Sequence, residues 1–170
     1  MEKKRYYGKY RGTVFQNLDP LLKGRIMVEV PSVLGPTPSG WAEPCLPFAG
    51  PQAGFVVVPP LRSAVWVEFE AGDPEKPIWT GGFYGTPAEV PVLFNSAVPP
   101  VNNVVIQTQL QNTLMMSDVP GPTGGILLKS PTGALISIND VGITLSNGKG
   151  AIMVMAGPSV TINNGALVVT

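Results

Sequence analysis

Apolar and polar residues alternate along this chain in short runs, each stopped by glycine or proline, and no stretch sustains a helical period. Tyr10 to Asn17 (YRGTVFQN) reads as a strand that ends at the turn signal Asp19-Pro20. Arg25 to Val30 (RIMVEV) alternates and stops at Pro31, and Gly54 to Val58 (GFVVV) reads as a short buried strand closed by Pro59-Pro60. Ala64 to Phe69 places Val65, Val67 and Phe69 on one side and Trp66, Glu68 and Glu70 on the other. Ile78-Trp79 follows and runs into Gly81-Gly82. So many short strands in so short a stretch suit a small barrel of the OB type better than a sandwich. The expected organisation is an arm over 1–12 and a barrel domain over 13–86.

The next stretch, 87–124, has prolines at 87, 91, 99, 100, 120 and 122 around an amide-rich centre, NNVVIQTQLQN. Proline donates nothing to a ladder, so the pattern predicts an extended connector with one strand at Val104–Gln109. From Gly125 the texture changes. Glycines recur at Gly125, Gly133, Gly142, Gly150, Gly157 and Gly165, each followed by a short apolar segment (ILL, ALISI, ITL, AIMVM, PSVTI, ALVV). A period near eight with glycine at the corners predicts a β-solenoid over 125–170, one strand and one turn per unit. Strands this short form a ribbon too narrow to bury its own apolar side. Three copies wound together, with backbone bonds paired between chains, would close it. The expected core of that homotrimer is Ile126, Leu128, Ile136, Ile138, Ile143, Leu145, Met153, Val160 and Ile162. Within 134–138 and 151–155 apolar residues occupy both parities, which leaves the inward face there open.

Composition narrows the chemistry. The 170 residues include 20 Gly and 19 Pro, yet 44% are hydrophobic, so the chain is turn-rich without the low hydrophobicity of disorder. There is no histidine and one cysteine, Cys45, which removes histidine-based triads, imidazole metal sites and an internal disulfide. Glu68, Glu70, Asp73 and Glu75 are the only carboxylate cluster, and they read as a solvated strand face and a turn, not a hydrolytic pair across a cleft. Cys45 reads as a small buried hydrophobe, and Trp41, Trp66 and Trp79 as core or subunit packing. No catalytic residue, metal site or cofactor is expected. Eleven basic and eleven acidic residues cancel, but 17 of these 22 charges lie in residues 1–86. Lys3, Lys4, Arg5, Lys9 and Arg11, set among Tyr6, Tyr7 and Tyr10, could form a single-strand nucleic-acid arm. The zero net charge favours instead an arm that docks on another protein. No apolar run follows the basic start, so the expectation is synthesis in the cytoplasm without a signal peptide.

Three segments, GRIMVEVP (24–31), WAEPCLPFAG (41–50) and VWVEFEAGDPEKPIWTGGFYG (65–85), resemble the phage baseplate assembly protein V family, whose OB domain sits in the central spikes of contractile phage tails, type VI secretion (VgrG) and extracellular injection systems. The resemblance rests on Val30-Pro31, Trp41-Ala42 and the block Val67-Glu68-Phe69-Glu70, Gly72-Asp73 and Pro77. It implies an all-β chain, an OB-fold barrel followed by an intertwined homotrimeric β-helix or β-prism. In function it implies a non-enzymatic central spike of a contractile injection baseplate, forming the membrane-puncturing needle below tube and hub. The implied partners are a baseplate hub protein, the target membrane and a PAAR-type tip protein docking on Leu167, Val168, Val169 and Thr170, with no nucleic acid. Some short relatives end in an iron-binding His-x-His tip, which a chain without histidine cannot build. The alternative reading is an OB-fold single-stranded nucleic-acid-binding protein with a trimerising tail.

Overall fold

The computed structural model describes residues 4–169, which divide into two compact units between Pro87 and Ala88. In the first, β1 (Tyr10–Gln16), β2 (Met27–Glu29), β6 (Ala64–Phe69), β7 (Pro77–Gly82) and β3 (Glu43–Pro44) form one sheet in the order β2-β1-β6-β7-β3, antiparallel except for β3 beside β7. The two edge strands are then tied to each other. Ile26 and Ala42, just ahead of β2 and β3, exchange two backbone hydrogen bonds at 3.2 and 2.7 Å. Ser39 adds a second tie, its hydroxyl accepting from the Val28 N–H at 3.0 Å. A five-stranded sheet whose edges meet must curl, and the result is an OB-like half-barrel. Inside it Ile26, Val28, Val30, Ala42, Val65 and Val67 are fully buried, with Val14, Phe69 and Trp79 beside them. Burying β-branched side chains on the inner face of each strand is what holds this domain together, at roughly 1.5–3 kcal/mol per side chain.

One sequence expectation fails here. Phe55, Val56 and Val57 do not form a buried strand: they are 52, 59 and 59% exposed, and only Gly54 belongs to a two-residue hairpin strand, β5 (Ala53–Gly54), paired with β4 (Ala49–Gly50). The Phe55 N–H still donates to the Phe48 carbonyl at 3.0 Å, but the pairing of β4 with β5 stops at Gly54, and Pro59 and Pro60 close the segment before it can extend. The basic arm, for its part, packs on its own domain. The Tyr6 N–H donates to the Gly72 carbonyl at 2.9 Å, Arg5 Nη1 donates to the Ala71 carbonyl at 3.2 Å, and Tyr6 and Tyr10 meet edge to face while both rings pack tilted against Phe69. Strand β1 begins at Tyr10, inside the stretch expected to be arm. Lys3 lies outside the described residues.

The second unit contains a single antiparallel sheet of eight strands in strict chain order: β8 (Asn103–Gln107), β9 (Thr113–Ser117), β10 (Gly125–Lys129), β11 (Leu135–Asn139), β12 (Gly142–Ser146), β13 (Ile152–Ala156), β14 (Ser159–Ile162) and β15 (Leu167–Val169). Each strand pairs with its sequence neighbours, so the backbone pairing expected between chains lies within one chain. The glycine period produces hairpins, not coils. Gly125, Gly133, Gly142, Gly150 and Gly157 all have positive φ, and each turn reverses the chain where a solenoid would continue in one sense. Gly165 falls in a short 3-10 turn, Asn163–Gly165. The sheet also starts earlier than the glycine pattern suggests, because β8 and β9 lie in the stretch expected to be connector.

Candidate assembly interface

The ladder register puts residues into rows that cross all eight strands. One row is Val104, Met116, Ile126, Ile138, Ile143, Met155, Val160 and Val169. Two residues along each strand, hence on the same face, lies Ile106, Leu114, Leu128, Ile136, Leu145, Met153, Ile162 and Leu167. All sixteen positions are aliphatic or methionine. The nine residues expected to form a core occupy nine of them. The other seven were not picked out from the sequence: Val104, Ile106, Leu114 and Met116 because they precede the first corner glycine, Met155 because its strand is apolar at both parities, and Leu167 and Val169 because they read as a tip. The signal for the first four was plain alternation. Their hairpin hides it by using Gln111 at φ 64 in its turn where later ones use glycine.

This apolar face is uncovered within one chain. Ile126, Leu128, Ile136 and Ile138 are 43, 45, 40 and 43% exposed, while the opposite face, which carries Ser, Thr and Asn, is the less exposed of the two. On that opposite face Thr113, Met115 and Ser117 of β9 are buried. Nearby, the Asn103 side-chain amide donates to the Leu93 carbonyl at 2.6 Å and the Ser96 hydroxyl at 3.2 Å, holding the segment Val92–Ser96 against β8. Leu135, Ile152 and Val154, whose parity competed in the sequence, pair with Ser146 and Thr144 and so belong to the polar face. Close backbone approach fixes the hairpins: a Cβ on Gly125 or Gly142 would stand 2.0 Å from the carbonyl oxygen of Ile138 or Met155. At the last edge, Leu167 and Val169 are 54 and 57% exposed, and Thr170 lies outside the described residues.

The first domain offers no reaction centre among its described residues. No group of three or more His, Cys, Asp or Glu could hold a metal there. Glu68 pairs with Lys9 at 2.8 Å and Glu70 stands 3.8 Å from Lys76, the solvated ion pairs of a strand face and turn. Arg11 stacks on Trp66 and Phe83 at 5.0 and 4.7 Å. Trp79 is core, its indole N–H donating to the Gly24 carbonyl at 3.1 Å, and Trp41 lies under Arg25. Cys45 is exposed, against the sequence expectation; it lies just past the two-residue edge strand β3, where its N–H donates to the Trp79 carbonyl at 2.9 Å. Asp19 is a strongly perturbed acid. Its carboxylate accepts from Arg25 Nη2 at 2.7 Å and from the backbone N–H groups of Leu21, Lys23 and Arg25. The guanidinium first, then those N–H bonds, hold its pKa far below the usual carboxylate range against an opposing push from burial. Arg25 is raised in turn by the same bond.

A barrel followed by a sheet with one whole apolar face left open is the division of labour seen in a family comparison. Residues 10–84 match the Type VI secretion system/phage-baseplate injector OB domain, and residues 103–168 match the Phage baseplate V C-terminal trimerisation domain. The chain belongs to the phage baseplate V family. No curated protein matches it. As a baseplate V protein it is a structural, non-enzymatic spike component of a contractile injection baseplate, and its open face lies in the domain that trimerises.

Proposed function

We propose that three copies of this baseplate V protein bring their apolar faces together into a three-sided β-prism, the membrane-puncturing needle of the spike. The observation that carries this reading is the sixteen-residue face, wholly apolar and open to solvent in a single chain. Closing it removes three such faces from water at once, at about 25 cal/mol per Å² of apolar surface. Nine of its residues, Ile126, Leu128, Ile136, Ile138, Ile143, Leu145, Met153, Val160 and Ile162, are those picked out from sequence. In this reading each flank of the prism is one chain's complete ladder, so the needle is assembled from three sheets and the chains need not interleave strands. Eight strands about 4.8 Å apart give a shaft about 34 Å long. Its outer side would carry hydroxyl and amide groups among aliphatic ones, with Lys129 as the single strand charge. Few charges mean little desolvation cost on entering hydrocarbon.

The OB domains then form a collar that seats on the baseplate hub. Leu167, Val168, Val169 and Thr170, in and just beyond the last strand, receive a PAAR-type tip protein that covers an otherwise open strand edge. Sheath contraction would drive this assembly through the target membrane, where a shaft made only of paired strands resists buckling. Light scattering on the purified chain tests the trimer directly. The expected mass is three times 17.9 kDa, falling to a monomer when residues 103–170 are removed. A monomeric full-length chain would overturn the prism.

A further inference from the structure

The OB domain has an apolar surface of its own. Between β1 and β2 the loop LDPLLKG holds Leu18, Leu21 and Leu22 in solvent at 78, 64 and 92% exposure. Nothing local favours this. Leu22 has φ 53, a left-handed conformation in which a bulky side chain is strained, and it is the most exposed large hydrophobic of the described residues. The loop is nevertheless locked in place. The buried Asp19 carboxylate gathers the Leu21, Lys23 and Arg25 N–H groups and the Arg25 guanidinium, while the Asp19 carbonyl accepts from the Leu22 N–H at 3.0 Å. Its two ends lie against the proline-stopped segment 55–59. The Asn17 amide donates to the Pro59 carbonyl at 3.1 Å, and the Cβ position at Gly24 stands 3.7 and 3.9 Å from Val58 and Val56. Phe55, Val56 and Val57 thus continue the leucine loop as one exposed apolar surface.

We infer that this surface is the contact between OB domains of neighbouring copies in the trimer, the leucine loop of one copy packing on segment 55–57 of the next. The inference rests on the trimer reading above. Two observations choose a second copy as the occupant. The chain carries a trimerisation domain, so two further OB domains are always tethered nearby through the few residues between 85 and 91, at the effective concentrations of a short linker. The charges flanking the surface are moreover already paired within the domain, Lys23 with Glu43 and Arg25 with Asp19, so nothing there asks for a partner of opposite charge. A loop on one copy meeting a different segment on the next is the head-to-tail contact that a three-fold ring requires. A rigid loop also loses little entropy on docking, which gives its hydrogen-bond lock a purpose that an isolated domain does not supply.

The test uses the full chain with a nitroxide at Lys76→Cys in a Cys45→Ser background, in the turn between β6 and β7. Docked OB domains give one narrow electron–electron distance within a trimer. Leu22→Asp and, from the other side of the contact, Val57→Asp both abolish the narrow peak while the mass stays that of three chains. Aspartate suits a left-handed, solvent-facing position better than leucine, so loss of the domain's own fold does not account for the change. A trimer with a broad distribution in the unmutated background overturns the inference and leaves the prism standing, as does a narrow peak indifferent to both substitutions, which would place the surface against another protein. A monomeric mass removes the trimer reading and this contact with it.

Discussion

The two domains use the same residues, Val, Ile, Leu and Met on short antiparallel strands, and end in opposite states. In the OB domain the inward side chains reach near-zero exposure within one chain, because the Ile26–Ala42 bridge joins the sheet edges and encloses them. In the eight-stranded sheet the register is as regular and the alternation cleaner, yet Met115 is its only buried hydrophobic among the described residues. The difference lies in closure. A sheet that cannot curl onto itself contributes one side of a core, and its stability must come from association. The OB domain is a folding unit. In the proposed prism the sheet becomes one when copies meet.

The comparison breaks most sharply at the centre of the open face. Ile138 is 43% exposed in one chain, so a carboxylate there reaches water if the chain stays alone. In a closed prism Ile138→Asp places three carboxylates against one another in an apolar interior, a cost of several kcal/mol per charge. The expected outcome is a fall from three chains to one by light scattering, with the thermal transition of the OB domain unmoved. A trimer that survives Ile138→Asp would mean the prism closes on the other face.

A smaller effect tests the sheet without touching its interface. Gly142→Ala drives a methyl to 2.0 Å from the Met155 carbonyl oxygen at a residue with φ 150. The hairpin must open, at about 2–4 kcal/mol per chain. Since the sheet folds with its assembly, its melting temperature should fall and become more dependent on protein concentration. Gly150→Ala has positive φ but nothing within 4 Å of the new methyl, and should cost less.

Much of this was legible in the chain, and the exceptions have physical causes. Val65, Val67 and Phe69 announced their inward side because Trp66 and Glu68 alternate with them on a strand one residue type deep. On β13, by contrast, all five residues are apolar (IMVMA), and nothing in the strand itself picks a face. Cross-strand partners pick it: Val154 meets Thr144 while Met153 meets Leu145, and register is invisible until strands are paired. The glycine period located the hairpins yet implied a solenoid, because spacing records where the chain turns and not in which sense. Segment 55–57 misled for a related reason. Three consecutive apolar residues look buried, whereas the pairing of β4 with β5 stops before them and the prolines that follow close the segment.

The leucine loop supplies the smallest test, confined to the OB domain. Asp19 is held deprotonated far below the ordinary carboxylate range by Arg25 and three N–H groups. A carboxylate whose pKa is lower folded than unfolded stabilises the fold at pH values above its unfolded pKa, about 3.9, and that contribution drains away as pH falls toward the folded value. Asp19→Asn keeps the shape and discards the charge, so its OB transition should melt lower than the unmutated protein's at pH 7. The gap should narrow below about pH 4, where Asp19 of the unfolded chain takes up a proton that the folded carboxylate still refuses. The trimer mass should not change at either pH, because nothing on the apolar face of the sheet carries a charge. A gap that stays constant through the acid range would mean that the loop is held by its backbone turn alone. The ion pair would then be incidental to how Leu18, Leu21 and Leu22 are presented.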